Sequence, residues 1–298
     1  MKKELSILIP VFNHDCTALV DGLVRQASAL VEVGVQVEII IAEDGSTDTE
    51  VLRSNSVLAS RPYCRYIVRS ENVGRSAIRN YLTREARYEW LLFQDCDMTV
   101  VSDQFLSRYV ESDEGDVVYG GYVVGQGEKS CLRYLYEKAC ESQHTATERR
   151  KRPFQHFHTS NFLVRRSVMT AHPFDERFRY YGYEDVFFGK QLRQAGITIA
   201  HADNPAGFCT FEDNPHFVSK TEEGLRTLYE FRRDLMGYSQ MLTFVDGIHL
   251  GIVRWMICTW HRLFGGLERR WLCGRHPNLR IFKLYKLGYY LQLENLKS

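Results

Sequence analysis

What most restricts the fold of this chain is a set of short, almost unbroken apolar runs: LSILIPV (5–11), VEIIIA (37–42), YIV (66–68), WLLF (90–93) and DVVYGGYVV (116–124). A strand with one wet face alternates apolar and polar residues. Near-continuous runs rich in Val and Ile instead belong to strands covered on both faces, as in a mostly parallel sheet. The stretches between them switch to helical spacing. In RSAIRNYLTREA (75–86), Ala77, Ile78, Tyr81 and Leu82 share one face, and 15–33 and 48–59 are further expected helices. Strand and helix in alternation predict an α/β fold, a mostly parallel mixed sheet flanked by helices.

Ligands of such sheets bind beyond the carboxyl ends of the strands, and the unusual polar residues of this chain gather there. The first run leads into PVFNHD, the second into EDGSTD and the fourth into QDCDM. Asp95 and Asp97 stand one residue apart, where like charges repel unless a cation lies between them. Mg²⁺ or Mn²⁺ suits such a pair, because hard divalent ions prefer oxygen ligands and accept substrate phosphates. The competing reading is a solvated turn between strand and helix in which Asp97 caps. Glu43 and Asp44, followed by a glycine turn, either accept hydrogen bonds from a base or ribose, or simply open a helix. In ENVGRSAIRN (71–80), Gly74 precedes a helix carrying Arg75 and Arg79 one turn apart. That arrangement suits an anionic ligand or, alternatively, a surface helix with solvated arginines.

As a set and in this order, LSILIPVFN, EDGSTD, NVGRSAIRN and LLFQDCD resemble the family-2 glycosyltransferases of the GT-A fold, a Rossmann-like nucleotide-diphospho-sugar transferase fold, over roughly residues 4–125. A second block, FHTSNFLVRRSVMTAHPFDERFRYYGYEDVFFGKQLRQAG (157–196), resembles a segment shared by β-1,4-galactosyltransferases and chondroitin-polymerase-type enzymes, extending the likeness to about residue 215. The resemblance implies a metal-dependent inverting enzyme that moves a hexose or N-acetylhexosamine from a UDP-sugar. The implied acceptor is a glycan or lipid-linked glycan in cell-surface polysaccharide synthesis.

The same resemblance assigns roles. Pro10, Val11 and Phe12 would line the nucleotide pocket beside Glu43, and Asp44 would bond the base. Asn72, Gly74 and Arg79 would lie beside the nucleotide and diphosphate. Asp95 would reach the ribose or a metal-bound water, and Asp97 would bind Mn²⁺ or Mg²⁺. On the acceptor side Asp185 becomes the general base and Glu184 orients the acceptor sugar, with Tyr180, Tyr181 and Tyr183 placed to stack on sugar faces. A proton-accepting carboxylate is what inverting transfer requires, and Glu184 together with desolvation is expected to raise the pKa of Asp185 slightly. Read without the resemblance, Asp185 caps a helix and the tyrosines pack.

The chain departs from the family pattern in places. Glu43–Asp44 replaces the common Asp-Asp pair, and Gly182–Tyr183 replaces Gly-Gly, so the acceptor is not inherited from relatives. A histidine commonly completes the metal site. His201 and His216 are the candidates, while Phe208 and Cys209 occupy the stretch where the ligand is expected. Two rival functions make different demands on the sequence. A sugar-nucleotide pyrophosphorylase calls for a Gly-rich, basic loop after the first strand, and PVFNHD is neither. A non-catalytic nucleotide-sugar-binding partner subunit predicts loss of the acids, yet Asp95, Asp97, Glu184 and Asp185 are present.

Beyond residue 124 the pattern predicts a helix at 129–142, a polar basic loop at 143–155, a strand at 157–166, and an aromatic loop at 178–196 entering a helix that Gly196 stops. The expected division is a transferase domain (1–215), with donor half 1–125 and acceptor half 126–215, and a helical, basic, aromatic extension (216–298). The stretch 249–298 carries nine Lys or Arg against two Glu, in a chain of net charge +1. Segment 248–264 mixes Trp and Ile with cations, as interfacial helices do. Residues 248–298 therefore read either as a peripheral contact with anionic membrane or as a cap on the core or on a second subunit of a homo-oligomer. The chain's charge gives no argument for nucleic acid. Eight cysteines without a CxxC pair, and a first apolar run too short for a signal peptide and containing Pro10, point to a cytoplasmic protein with reduced thiols.

Overall fold

The structure, a computed structural model, describes residues 1–297. Its strands are β1 (Glu4–Val11), β2 (Gln36–Asp44), β3 (Cys64–Arg69), β4 (Trp90–Gln94), β5 (Met98–Val100), β6 (Val117–Tyr119), β7 (Tyr122–Val124), β8 (Asn161–Arg165), β9 (Ala200–His201) and β10 (Ala206–Phe208). A seven-stranded sheet runs in the order β3-β2-β1-β4-β8-β6-β9, and a small sheet in the order β5-β10-β7. β1 through β4 are parallel, whereas β8 lies antiparallel to both β4 and β6.

The unbroken apolar runs do what two-sided burial requires. Ile7 pairs with Ile39 and Leu92, and these join Ile9, Ile41 and the Leu19–Leu23 helix face in one core. The alternate residues Leu8, Ile40, Leu91 and Phe93 point to the other side, against Ile78, Leu82, Phe162 and Phe188. One strand thus feeds two cores, because successive side chains leave opposite faces.

Two expectations required revision. The run 116–124 is not one strand: it breaks at Gly120–Gly121, and its halves β6 and β7 enter different sheets. Gly121 has φ +84, and a Cβ there would sit 2.0 Å from Arg149 Nη1. The chain therefore bends around a buried guanidinium that donates to the Gly120 and Ala202 carbonyls at 3.2 and 2.7 Å. The expected loop 143–155 contains a helix, Ala146–Lys151, whose cap Thr145 accepts from the Glu148 amide. Glu184–Gln194 is helical as expected, and Gly196 follows it with φ +73.

The carboxyl-terminal helices do not hang free. The expected boundary at 215/216 falls within the helix Asn214–Glu230. The helix Leu279–Lys297 contributes Phe282 and Tyr285 to a core shared with Leu132 and Phe217, and Tyr290 and Leu291 to another shared with Phe178 and Leu225.

Candidate active site

A cavity of about 390 Å³ opens beyond the carboxyl end of β4. Asp95 and Asp97 line it, as do Arg75, Glu184, Asp185 and His158. Phe217, Lys220, Leu225, Met241, Phe282 and Lys286, from the carboxyl-terminal helices, wall the same space.

The turn after β4 is pinned by the Asp95 amide, which donates to the Ser160 carbonyl at 3.0 Å. The Asp95 carboxylate accepts from Arg79 Nη2 at 2.6 Å. Arg79 is buried, and its Nη1 lies 3.6 Å from Glu184 Oε1, which Arg75 approaches to 3.9 Å. One guanidinium therefore ties the end of β4 to the first turn of the helix Glu184–Gln194. Burial and the adjacent Asp95 push the Asp97 carboxyl above its ordinary range, with Arg75 and Lys220 opposing. Two carboxylates that repel in a partly desolvated space favour a cation between or beside them.

Glu184 and Asp185 are neighbours whose pKa values move apart. Burial and Asp185 push Glu184 upward, against Arg75 and Arg79. Burial would raise Asp185 too, but His158 outweighs it and holds the carboxyl below its ordinary value. The slight rise expected for Asp185 is therefore reversed. His158 Nδ1 lies 3.0 Å from Asp185 Oδ2, and the Val186 amide donates to Oδ1 at 2.8 Å. Burial lowers the His158 pKa, yet the bond to Asp185 brings it out above the ordinary value. Behind it, the His144 ring centroid is 5.6 Å from that of His158. Burial and His158 hold His144 neutral, pushed down to about 3. Tyr122 donates to Glu137 at 2.8 Å, so His144 Nε2, 2.9 Å away, donates to the Tyr122 oxygen. None of these partners was anticipated: nothing in a single sequence links residue 158 to residue 185.

Pro10, Val11, Phe12, Glu43 and Asp44 are not among the residues that line this cavity. Pro10, Val11 and Phe12 lie at the end of β1, with Val11 in the core and Phe12 49% exposed. Glu43 is fully buried and accepts from Asn55, Ser46 and Tyr66. Asp44 accepts from the Val73 and Gly74 amides at 3.1 and 3.0 Å, so its carboxylate shapes the 71–74 loop. That loop is tight: a Cβ at Gly45 would meet the Asn72 nitrogen at 2.2 Å, and one at Gly74 would meet the Arg179 carbonyl oxygen at 2.4 Å. Tyr183 lines the cavity at φ +69, a left-handed conformation that favours glycine. The Tyr181 ring is already engaged by Arg75 and Lys220, 4.8 and 4.9 Å from its centroid.

His201 is not brought to the aspartates. It is buried, its Nε2 lies 3.0 Å from the Pro153 carbonyl oxygen, it borders a separate depression, and burial pushes it down to about 4. His216 lies in the first turn of the helix Asn214–Glu230, where its amide donates to Asp213. Among the described residues no group of three or more His, Cys, Asp or Glu is assembled to hold a metal.

The family model of glycosyl transferase family 2 matches residues 6–171. The chain belongs to glycosyl transferase family 2. Its curated relatives include an uncharacterized glycosyltransferase of Haemophilus influenzae, 28% identical over 100 residues, spanning 34% of this chain and 38% of that protein. The uncharacterized glycosyltransferase YfnE of Bacillus subtilis is 23% identical over 269 residues, 70% of this chain and 67% of that protein. Among solved structures, residues 1–349 of S. aureus TarS superpose with a TM-score of 0.52 at 15% identity, covering 100% of this chain and 92% of that one. The mannosyltransferase PcManGT from Pyrobaculum calidifontis, in complex with GDP-Man and Mn²⁺, gives 0.58 at 12% identity over 100% and 87%. These likenesses establish the GT-A type of fold. The family-2 match ends before Glu184 and Asp185.

Proposed function

We propose that this family-2 glycosyltransferase performs a metal-assisted inverting transfer of a hexose or N-acetylhexosamine from a UDP-sugar. The acceptor is a hydroxyl of a glycan or lipid-linked glycan in cell-surface polysaccharide synthesis. One observation carries the reading: a single cavity holds a repelling aspartate pair and an ionised aspartate bonded to a histidine. The resemblance of 157–196 to galactosyltransferase and chondroitin-polymerase segments supports the acceptor-side roles.

Asp185 is the proton acceptor. Kept ionised and oriented by His158, it takes the proton of the acceptor hydroxyl as that oxygen attacks the anomeric carbon opposite the leaving diphosphate. Glu184, fixed against Arg79 and Arg75, orients the acceptor. Arg75 and Lys220 line the cavity and present positive charge to the diphosphate. Asp97, its carboxyl raised beside Asp95, is the residue that would hold a hard divalent ion, with Asp95 braced on Arg79. Few protein ligands suffice when substrate phosphates complete the shell. A bound Mn²⁺ or Mg²⁺ would neutralise charge on the departing group.

Asp185→Asn is expected to bind UDP as the native protein does and to lose transfer by about 10²- to 10⁴-fold; unchanged turnover refutes the assignment. A thermal-shift screen addresses the donor. UDP-GlcNAc, a ligand in a TarS complex, and GDP-mannose are compared with other nucleotide sugars, with and without Mn²⁺. One UDP-sugar should raise Tm only when metal is present, and Asp97→Asn should abolish that dependence.

A further inference from the structure

The helix Gly251–Leu272 is built inside out. Its buried residues are His261, Gly265, Glu268 and Leu272, mostly polar or small. Gly265 and Gly288 make room for the His261 ring: a Cβ on either would approach His261 atoms to 2.8 and 2.6 Å. Ile257 and Leu272 pack on the core, but most of the large apolar side chains face outward. Ile252, Trp255, Met256, Trp260, Leu263 and Leu267 are each 46–67% exposed, and Phe264 and Trp271 extend the same surface. From Ile252 to Trp271, at 1.5 Å per residue, the stripe runs about 29 Å. Single exposed apolar residues need no explanation, but a continuous strip of this length does.

Its charges have one sign. From Gly247 to Arg275 the only acid is Glu268, which is buried and accepts from Trp260 Nε1 at 2.8 Å. Arg269 pairs with Glu222 and Arg254 with Glu294. Arg262 and Arg270 are exposed and make no ion pair among the described residues. No helix among those residues is long and apolar enough to cross a membrane.

We propose that this helix lies flat on an anionic lipid bilayer, its Trp, Leu and Ile side chains in the acyl boundary and its arginines among the headgroups. Indoles at the edge of an apolar face, with cations beside them, match the interface where hydrocarbon gives way to charged lipid. A second copy of the chain fits less well. A two-fold seam along this stripe brings Arg262 and Arg270 of both copies together with no acid on the face to meet them. The inference stands apart from the transferase reading, because it uses no residue of the cavity.

The test uses the full chain with vesicles of phosphatidylcholine alone or containing about one-third phosphatidylglycerol. The native protein is expected to float with the anionic vesicles, with tryptophan emission shifted to the blue and quenched by brominated lipid. The triple variant Trp255→Ser, Leu263→Ser, Leu267→Ser, changed only at exposed positions, is expected to keep its Tm and bind at least about tenfold more weakly. Arg262→Glu with Arg270→Glu is expected to erase the preference for anionic lipid. Failure to float overturns the proposal, as does equal binding to both vesicle types. So does a dimer in lipid-free solution that the three serine substitutions dissociate.

Discussion

Arg79 shows how much one side chain holds in place. It is buried, and it pairs with Asp95 at the end of one strand while facing Glu184 at the start of a distant helix. Arg79→Met leaves Asp95 without its cation and Glu184 with only the more distant Arg75, and the cost is expected at about 3–5 kcal/mol, measured by urea unfolding. His158 makes a different claim. The depressed pKa of Asp185 contributes stability above its unfolded value and loses it as pH falls through the folded value. The elevated pKa of His158 contributes below about 6.5 and loses it as pH rises through the folded value. The pair thus stabilises most between the ordinary carboxylate and imidazole ranges. His158→Gln is expected to remove that maximum and to move the acid limb of kcat/KM to higher pH, with UDP affinity unchanged. The groups facing His158, namely Asp185, His144, Tyr119, Tyr122, Glu137 and Arg149, are all retained in that variant. An unmoved acid limb would show that Asp185 does not depend on His158.

At the scale of elements, the parallel strands and the helix at 184–194 were legible because each is encoded locally, by apolar period and by a glycine stop. The Gly120–Gly121 break was written in the sequence as well, but its cause was not. Only the fold places Arg149, 28 residues downstream of Gly121, inside the bend. Gly121→Ala forces a Cβ onto that guanidinium in a left-handed conformation. The backbone alone costs about 1–2 kcal/mol and the clash adds to it, so a lower Tm is expected, together with loosened exchange protection in β7 and β10. The Thr145 cap belongs with the legible signals: TATE (145–148) has the spacing of a capping box, and the surrounding basic charge obscured it. Long-range pairings such as His158 with Asp185 leave no local trace.

For the whole molecule, the cores that join the carboxyl-terminal helices to the rest make truncation costly. Protein ending at residue 245 would expose Phe178, Leu225, Leu132 and Phe217, now covered by Phe282, Tyr285, Tyr290 and Leu291. It is expected to bind the dye ANS and to melt without a cooperative transition; a sharp melt near the native Tm would show that the sheet region folds alone. The charge excess of 249–298 was visible in the sequence, whereas the outward turn of its tryptophans was not, since helical period alone does not say which face a neighbour covers.

The chamber has two lineages of wall. Asp95 and Asp97 lie within the stretch common to the family, and Phe217, Lys220, Leu225, Met241, Phe282 and Lys286 come from beyond it. Substitutions in the later helices can accordingly reshape this chamber while leaving both aspartates in place. Relatives alike in their first 171 residues are free to diverge in what they admit.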